Sequence, residues 1–148
     1  MGHSRPDADS FGSTVGIYSM ARELQRKAYI VLESVNNDVQ ALVDCFKAVP
    51  GNDDVIINHQ QAIDMAGSNT ALVVVDVNKP SITECPDLIH LAKTGVVLDH
   101  HRAGSEIIEN ATLSYIEPYA SSACEMVTEI LQYSGENVRI TAREAEAM

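Results

Sequence analysis

The sequence predicts an α/β domain built on a largely parallel sheet that is flanked by helices. Short apolar runs that suit buried strands alternate with segments whose apolar residues recur at helical spacing. The run "TALVVVD" at 70–76 is continuously apolar up to its last residue, which is typical of a strand covered on both faces. With 148 residues and 45% apolar residues, the chain is long enough for one domain with its own core.

The first half of the chain predicts three helices and two strands. A helix is expected at 11–26, where apolar residues have helical spacing and basic residues near the end complement the helix dipole. Asp38 is a plausible N-cap for a second helix that runs to about Phe46. Short apolar runs predict two strands, at 29–33 and 55–58. A third helix is expected after the second strand, at about 60–66.

The second half continues the alternation. After the strand at 70–76, Pro86 and Asp87 open a short helix. A serine followed closely by Glu125 predicts the start of a strong helix. The expected elements are the helix to Ala92, strands at 95–99 and 112–117, a helix at 121–133 capped by Ser121 or Ser122, and a helix capped by Thr141. Because the chain opens in a loop and stops within a helix, we expect a piece truncated at both ends.

Charge and cysteine content limit the classes of function. The net charge of −11 argues against a basic face that grips long nucleic acid. No apolar run approaches the roughly 18 residues that a membrane span needs, so no direct membrane contact is expected. The three cysteines are widely spaced, which indicates reduced thiols in a cytoplasmic setting.

Ionisable residues follow two of the predicted strands directly. Asp76 ends one strand, and Asp99, His100 and His101 end the next. Parallel strands share their carboxyl edge, which is where such sheets bind ligands, so these groups are expected to be neighbours. For Asp76 alone, a turn at the end of a strand is an equally ordinary interpretation.

A third group precedes the first helix, in "GHSRPDADSFGS". His3, Asp7 and Asp9 lie in a loop that is expected to be extended, with the helix beginning near Gly12 and Ser13. Helix capping explains one of these aspartates but not both together with the histidine.

Several carboxylates gathered at one point repel each other unless cations lie among them. Carboxylates with a few imidazoles suit Mn²⁺, Fe²⁺, Co²⁺ or Mg²⁺, and two such ions sharing a carboxylate can activate water against a phosphoryl group. Arg102, directly after the histidines, is a candidate ligand for a phosphate oxygen or else a solvated turn residue.

These segments resemble a known family. "GHSRPDADSFGS", "VVVD" and "LDHHR" look like motifs I, II and III of the DHH phosphoesterase superfamily, whose domain is Rossmann-like. The chain is most similar to the catalytic domain of the GdpP/YybT-type cyclic-di-AMP phosphodiesterases. The stretches "VVVDVNKPSITECPDL" (73–88) and "DHHRAGSEIIENATLSYIEPYASSACEMVTEILQY" (99–133) carry that closer similarity.

The resemblance implies a two-manganese hydrolase that converts cyclic di-AMP to linear pApA. It implies the following roles: His3 and Asp7 bind one Mn²⁺, Asp9 and His100 bind the other, Asp76 bridges both, Asp99 supports the metal shell, and His101 contacts the scissile phosphate with Arg102 beside it. Asp99, His100 and His101 are accordingly the expected catalytic group. The expected partner is a cyclic dinucleotide, and a homodimer is left open.

The sequence departs from the family pattern at both ends. The fourth motif with its metal-binding aspartate, the DHHA1 domain, and the N-terminal membrane helices, PAS-like and GGDEF-like regions are not in these 148 residues. We therefore expect residues 1–148 to be one DHH domain of a membrane-anchored parent protein. The metal position of Asp9 and His100 is expected to lack a ligand, so these residues alone should turn over substrate poorly or not at all.

Two other interpretations stay open at this point. One is a DHH-type nanoRNA-degrading enzyme that also acts as a pAp phosphatase. The other is a catalytically incompetent domain that binds a metal or a nucleotide. RecJ-like exonucleases fit less well because the chain is acidic and has no basic stripe for nucleic acid. Family II pyrophosphatases fit less well because they do not share the segment "YIEPYASSACEMVTE".

Overall fold

The computed structural model describes residues 1–134 and 138–148, and it is an α/β fold with parallel strands between helices. The strands are β1 (Ile30–Val31), β2 (Ile56–Ile57), β3 (Ala71–Val75), β4 (Thr94–Asp99) and β5 (Leu113–Ile116). The helices are α1 (Ala8–Glu23), α2 (Gln40–Lys47), α3 (His59–Met65), α4 (Asp87–Leu91), α5 (Ala123–Tyr133) and α6 (Ala142–Ala147). A 3₁₀ turn covers Pro80–Ile82.

The strands form two parallel sheets rather than the one sheet that was expected. β1 pairs with β2, and β3, β4 and β5 form a three-stranded sheet in that order. The β1–β2 ladder is only two residues long, because backbone groups beyond β1 form hydrogen bonds outside the ladder. The amide of Glu33, two residues beyond β1, donates to the carboxylate of Glu84 at 2.9 Å and not to a neighbouring strand.

The first three residues run alongside β3. The nitrogen of Met1 donates to the carbonyl of Val73 at 2.9 Å, and the amide of Val75 donates to the carbonyl of Met1 at 3.0 Å. His3 then forms an isolated antiparallel bridge with Thr83. This pairing carries His3 to the carboxyl end of β3, where Asp76 lies.

Helices cover both faces of the three-stranded sheet, as the apolar strands predict. Val74 and Val97 belong to the cluster that includes Leu88 of α4, on one side. Val75 and Leu98 pack with Val127 of α5 on the other. A further cluster joins α1 to α2, with Phe11 and Phe46 edge to face at 6.2 Å between ring centroids.

α1 begins at Ala8, so the prediction of a start near Gly12 and Ser13 was wrong. The reason is that Asp7 is the N-cap: its Oδ1 accepts from the amide of Ser10 at 2.9 Å. Asp9 consequently lies in the first helical turn and not in an extended loop.

The predicted cap at Asp38 was also wrong. α2 begins at Gln40, and the side chain of Asn36 accepts from the amides of Asp38 and Val39. The caps at Ser122 and Thr141 are confirmed, since Ser122 accepts from Glu125 and Thr141 forms a capping box with Glu144. In the parts of the chain that the structure describes, no helix is long and apolar enough to span a bilayer.

Candidate metal centre

The centre is built where β3 and β4 end. The two strands are parallel with Val75 beside Leu98, so Asp76 and Asp99 leave the same edge of the sheet. Both side chains are buried, Asp76 being 2% and Asp99 0% exposed. Asp76 has a φ of +59°, a left-handed conformation that aspartate tolerates better than most residues. That conformation ends β3 abruptly, one residue after its last ladder position.

The Asp76 carboxylate lies among three imidazoles. Its Oδ2 is 3.3 Å from Nε2 of His3. Its Oδ1 is 3.4 Å from Nε2 of His100 and 3.6 Å from Nδ1 of His101. The two oxygens of one carboxylate therefore face ligand atoms from two different segments of the chain.

Two groups of ligand atoms share Asp76. His3, Asp7 and Asp76 form one, and Asp76, His100 and His101 form the other, with the ligand atoms of each group within 4.8 Å of one another. The buried Oδ1 of Asp76 has no hydrogen-bond partner within residues 1–134 and 138–148. A buried anionic oxygen without a donor is unfavourable unless a cation approaches it. The donor set and this orphaned oxygen both fit divalent cations with oxygen and imidazole ligands.

Asp9, on α1, lies beside the second group without belonging to it. Its carboxylate accepts from the amides of Ala123 at 2.9 Å and Cys124 at 2.7 Å, the first two residues of α5. Its Oδ2 also lies 3.4 Å from Nε2 of His100. Asp9 thus fixes the start of α5 against the centre while facing the same imidazole that Asp76 faces.

Asp99 lies behind His101. Its Oδ1 is 2.8 Å from Nδ1 of His101 and accepts from the backbone amide of the same residue at 3.2 Å. The amide side chain of Asn78 donates to Oδ2 of Asp99 and, at 3.2 Å, to the carbonyl of His101. Asp99 and Asn78 together hold the imidazole in one orientation.

The sequence analysis did not single out Asn78 as a site residue. Its role in holding Asp99 was missed, although its position two residues after Asp76 was an available signal. Glu84 was missed as well. This buried glutamate lies 3.1 Å from Nε2 of His59 and donates its own amide to the carbonyl of Gly2 at 2.8 Å, next to His3.

His101 and Arg102 face outward. The side chain of His101 is 58% exposed, and Arg102 is exposed on the adjoining surface. The structure therefore brings together the seven predicted residues from His3 to His101 and leaves Arg102 at their rim.

The pKa shifts reflect burial and pairing in the absence of a cation. Burial raises the pKa of Asp76, and the hydrogen bond with His3 only partly offsets this. The hydrogen bond to Asp76 raises the pKa of His3. Burial, with Asp9 nearby, raises the pKa of the Cys124 thiol to about 11, so the free thiol is neutral at pH 7.

Comparisons with known proteins identify the family of the chain. The sequence model described as "DHH family, N-terminal domain" matches residues 1–148. The cyclic-di-AMP phosphodiesterase GdpP of Geobacillus thermodenitrificans is 37% identical over 150 residues, which cover 100% of this chain and 23% of that protein. The cyclic-di-AMP phosphodiesterase PdeA of Listeria monocytogenes has the same identity and coverage. The chain thus spans about a quarter of the length of these relatives.

Two solved structures share the fold. An exopolyphosphatase-related protein from Bacteroides fragilis superposes with a TM-score of 0.76 at 19% identity, covering 99% of this chain and 42% of that one. A Methanococcus jannaschii protein assigned to the family II inorganic pyrophosphatases superposes with a TM-score of 0.65 at 21% identity, covering 99% and 44%. At these identities the likeness concerns the fold alone.

Proposed function

Because the chain belongs to the DHH family, we propose that its centre binds two divalent cations and that the whole protein hydrolyses cyclic di-AMP to pApA. The relatives that are named cyclic-di-AMP phosphodiesterases match this chain from end to end, which supports the substrate. The observation that carries the cation proposal is the position of Asp76, whose two carboxylate oxygens face two separate groups of ligands.

The proposal assigns a role to each side chain. His3 and Asp7 bind one cation, Asp9 and His100 bind the other, and Asp76 is shared. When bound, such a pair of cations supplies charge neutralisation at the phosphoryl oxygens and activation of a water molecule. Asp99 and Asn78 orient His101. Because Nδ1 of His101 is occupied by Asp99, we assign its Nε2 to the scissile phosphate, with Arg102 beside it.

We propose Mn²⁺ as the cation, with Co²⁺, Fe²⁺ and Mg²⁺ as the other ions that the same donor set accepts. The ligands are carboxylate oxygens and imidazole nitrogens, which favour this series over a thiolate zinc site. We further propose that the domain works in the cytoplasm as part of a membrane-anchored protein. Its partner is the cyclic dinucleotide and not long nucleic acid. Size-exclusion chromatography of the whole protein tests whether it forms a dimer.

The experiment compares Asp76→Asn with wild type in the whole protein, supplied with Mn²⁺ and cyclic di-AMP. Asparagine keeps the side-chain shape and accepts the left-handed backbone, so the variant is expected to fold. We expect hydrolysis to fall by more than about 100-fold, because loss of an outer partner of a metal ligand alone costs about 10- to 100-fold. Formation of pApA is measured by chromatography. Asp64→Asn, on the exposed surface of α3, is the matched control.

An Asp76→Asn variant as active as the Asp64→Asn control contradicts the proposal. If the wild-type protein cleaves pAp faster than cyclic di-AMP, the cation centre stands and the substrate is reassigned to pAp. If it binds Mn²⁺ and cleaves neither compound, the domain is a binding module and the catalytic proposal fails.

A further inference from the structure

Tyr119 is exposed over 93% of its surface, on the loop between β5 and α5. A single exposed aromatic residue is ordinary in a folded protein, so exposure alone indicates nothing. What distinguishes Tyr119 is where its loop is attached.

The loop is fastened to the candidate metal centre at both ends. At its start, the amide of Glu117 donates to the backbone carbonyl of Asp99 at 2.9 Å. At its end, the amides of Ala123 and Cys124 donate to the carboxylate of Asp9. Because two residues span at most about 7 Å, the Cα atom of Tyr119 lies within about 7 Å of that of Glu117. Because β4 and β5 are parallel with Asp99 beside Ile116, the backbone of Tyr119 leaves the same edge of the sheet as the centre.

The loop is also ordered internally. The amide of Ala120 donates to the carbonyl of Glu117 at 3.0 Å, and the amide of Tyr119 donates to the Glu117 carboxylate at 3.2 Å. Pro118 has a fixed φ, which removes further freedom. Because the backbone of this turn is already ordered, it loses little conformational entropy when a flat ligand stacks on the exposed ring.

We propose that Tyr119 forms a nucleobase subsite, in which its ring stacks on a base of the nucleotide whose phosphate lies at His101 and Arg102. This inference rests on the proposed function, because it takes the ligand to be a nucleotide. Stacking uses the π-face that every base has, so it is tolerant of base identity. Ser121, the nearest serine, already donates its amide and hydroxyl to Glu125. The subsite is therefore expected to accept adenine and guanine alike.

The test measures binding of AMP and of ribose 5-phosphate to the whole protein in Mn²⁺ by calorimetry. Ribose 5-phosphate carries the same phosphate without a base. We expect Tyr119→Ala to weaken AMP by about 5- to 100-fold, the range that one base–aromatic stack contributes, and to leave ribose 5-phosphate within about twofold. Tyr119→Phe keeps the ring and should retain AMP affinity.

Tyr133→Ala is the matched control. Tyr133 is 79% exposed but lies at the far end of α5, about 15 Å along the helix axis from Ala123. Its substitution should change neither affinity. Equal weakening of both ligands by Tyr119→Ala, an AMP affinity that does not change, or wild-type protein that fails to bind AMP would each overturn the inference.

The same measurements separate this inference from the proposed function. A wild-type protein that cleaves cyclic di-AMP, with AMP affinity unchanged in Tyr119→Ala, rejects the subsite and keeps the function. A wild-type protein that cleaves no cyclic di-AMP, but whose AMP affinity depends on Tyr119, rejects the substrate and keeps the subsite.

Discussion

Asp76 combines a left-handed backbone, nearly complete burial and one carboxylate oxygen without a hydrogen-bond partner in the described parts of the chain. Each of these properties is unfavourable in an isolated domain. Such a combination is typical of functional sites, where the surrounding structure holds an unfavourable local conformation in place. The sequence predicted the position of this carboxylate from the strand that precedes it, but the orphaned oxygen depends on side-chain geometry that no pattern of residues reveals.

Asn78 provides a prediction at the same scale. We expect Asn78→Ala to lower kcat for the Mn²⁺-loaded protein by about 10- to 100-fold, because Asp99 and hence His101 lose their support. The affinity for Mn²⁺ should change much less, because within residues 1–134 and 138–148 the amide group of Asn78 donates to Asp99 and His101 and forms no hydrogen bond with Asp76, His3 or His100. Activity is measured with cyclic di-AMP and Mn²⁺ affinity by calorimetry. Asn69→Ala, at an exposed position, is the control, and a kcat within about twofold of it would refute this role.

At the scale of elements, the strands were easier to predict than the helix starts. Runs such as "TALVVVD" follow from burial on both faces, and their acidic ends follow from the shared carboxyl edge of parallel strands. Helix starts depend on which of several polar side chains reaches a free amide. Asp7 takes that role for α1. Before α2 it belongs to Asn36, which accepts from the amides of Asp38 and Val39. Asp9 caps α5 across more than 100 residues, which local sequence cannot indicate.

The last helix is tied to the first by an ion pair. Arg22 of α1 donates to both carboxylate oxygens of Glu144, a fully buried residue of α6, and to the carbonyl of Arg139 at 3.0 Å. Burial opposes ionisation of Glu144, but the hydrogen bonds from Arg22 and Thr141 outweigh it and hold the pKa of Glu144 below its usual value of 4.5. The ionised form is therefore the form that the folded state favours.

This pair predicts a pH-dependent stability. A pKa lower in the folded than in the unfolded state adds stability that is present above the unfolded value of about 4.5 and is lost as the pH falls through the folded value. We expect Glu144→Gln to lower the free energy of unfolding by about 1 to 2 kcal/mol at pH 7, because Arg22 is partly exposed and screened. The difference from wild type should shrink as the pH falls below 4.5 and through the lower pKa of the folded state. Urea titrations at pH 7 and pH 3.5 measure it, with Glu129→Gln on the exposed face of α5 as the control. A difference that is equal at both pH values would contradict the assignment.

At the scale of the whole molecule, the sequence predicted the fold class, which is confirmed, and the residues that meet where β3 and β4 end. Alternation of strands and helices predicted the α/β class, and the ends of β3 and β4 predicted the meeting of Asp76 with the two histidines. The division into two sheets was not predicted. It arises because Met1, before α1, pairs with the outer edge of β3, and because the amide of Glu33, beyond β1, donates to the Glu84 carboxylate. Both contacts join distant parts of the chain, which local sequence cannot indicate.

The central claim is that Asp76 is shared by two cations. Anomalous X-ray diffraction at the manganese edge, from crystals of the protein grown with Mn²⁺, tests it most directly. We expect two peaks on either side of the Asp76 carboxylate, one toward His3 and Asp7 and the other toward His100 and Asp9. No peak beside Asp76 in crystals that contain Mn²⁺, or a single peak away from these ligands, would contradict the account.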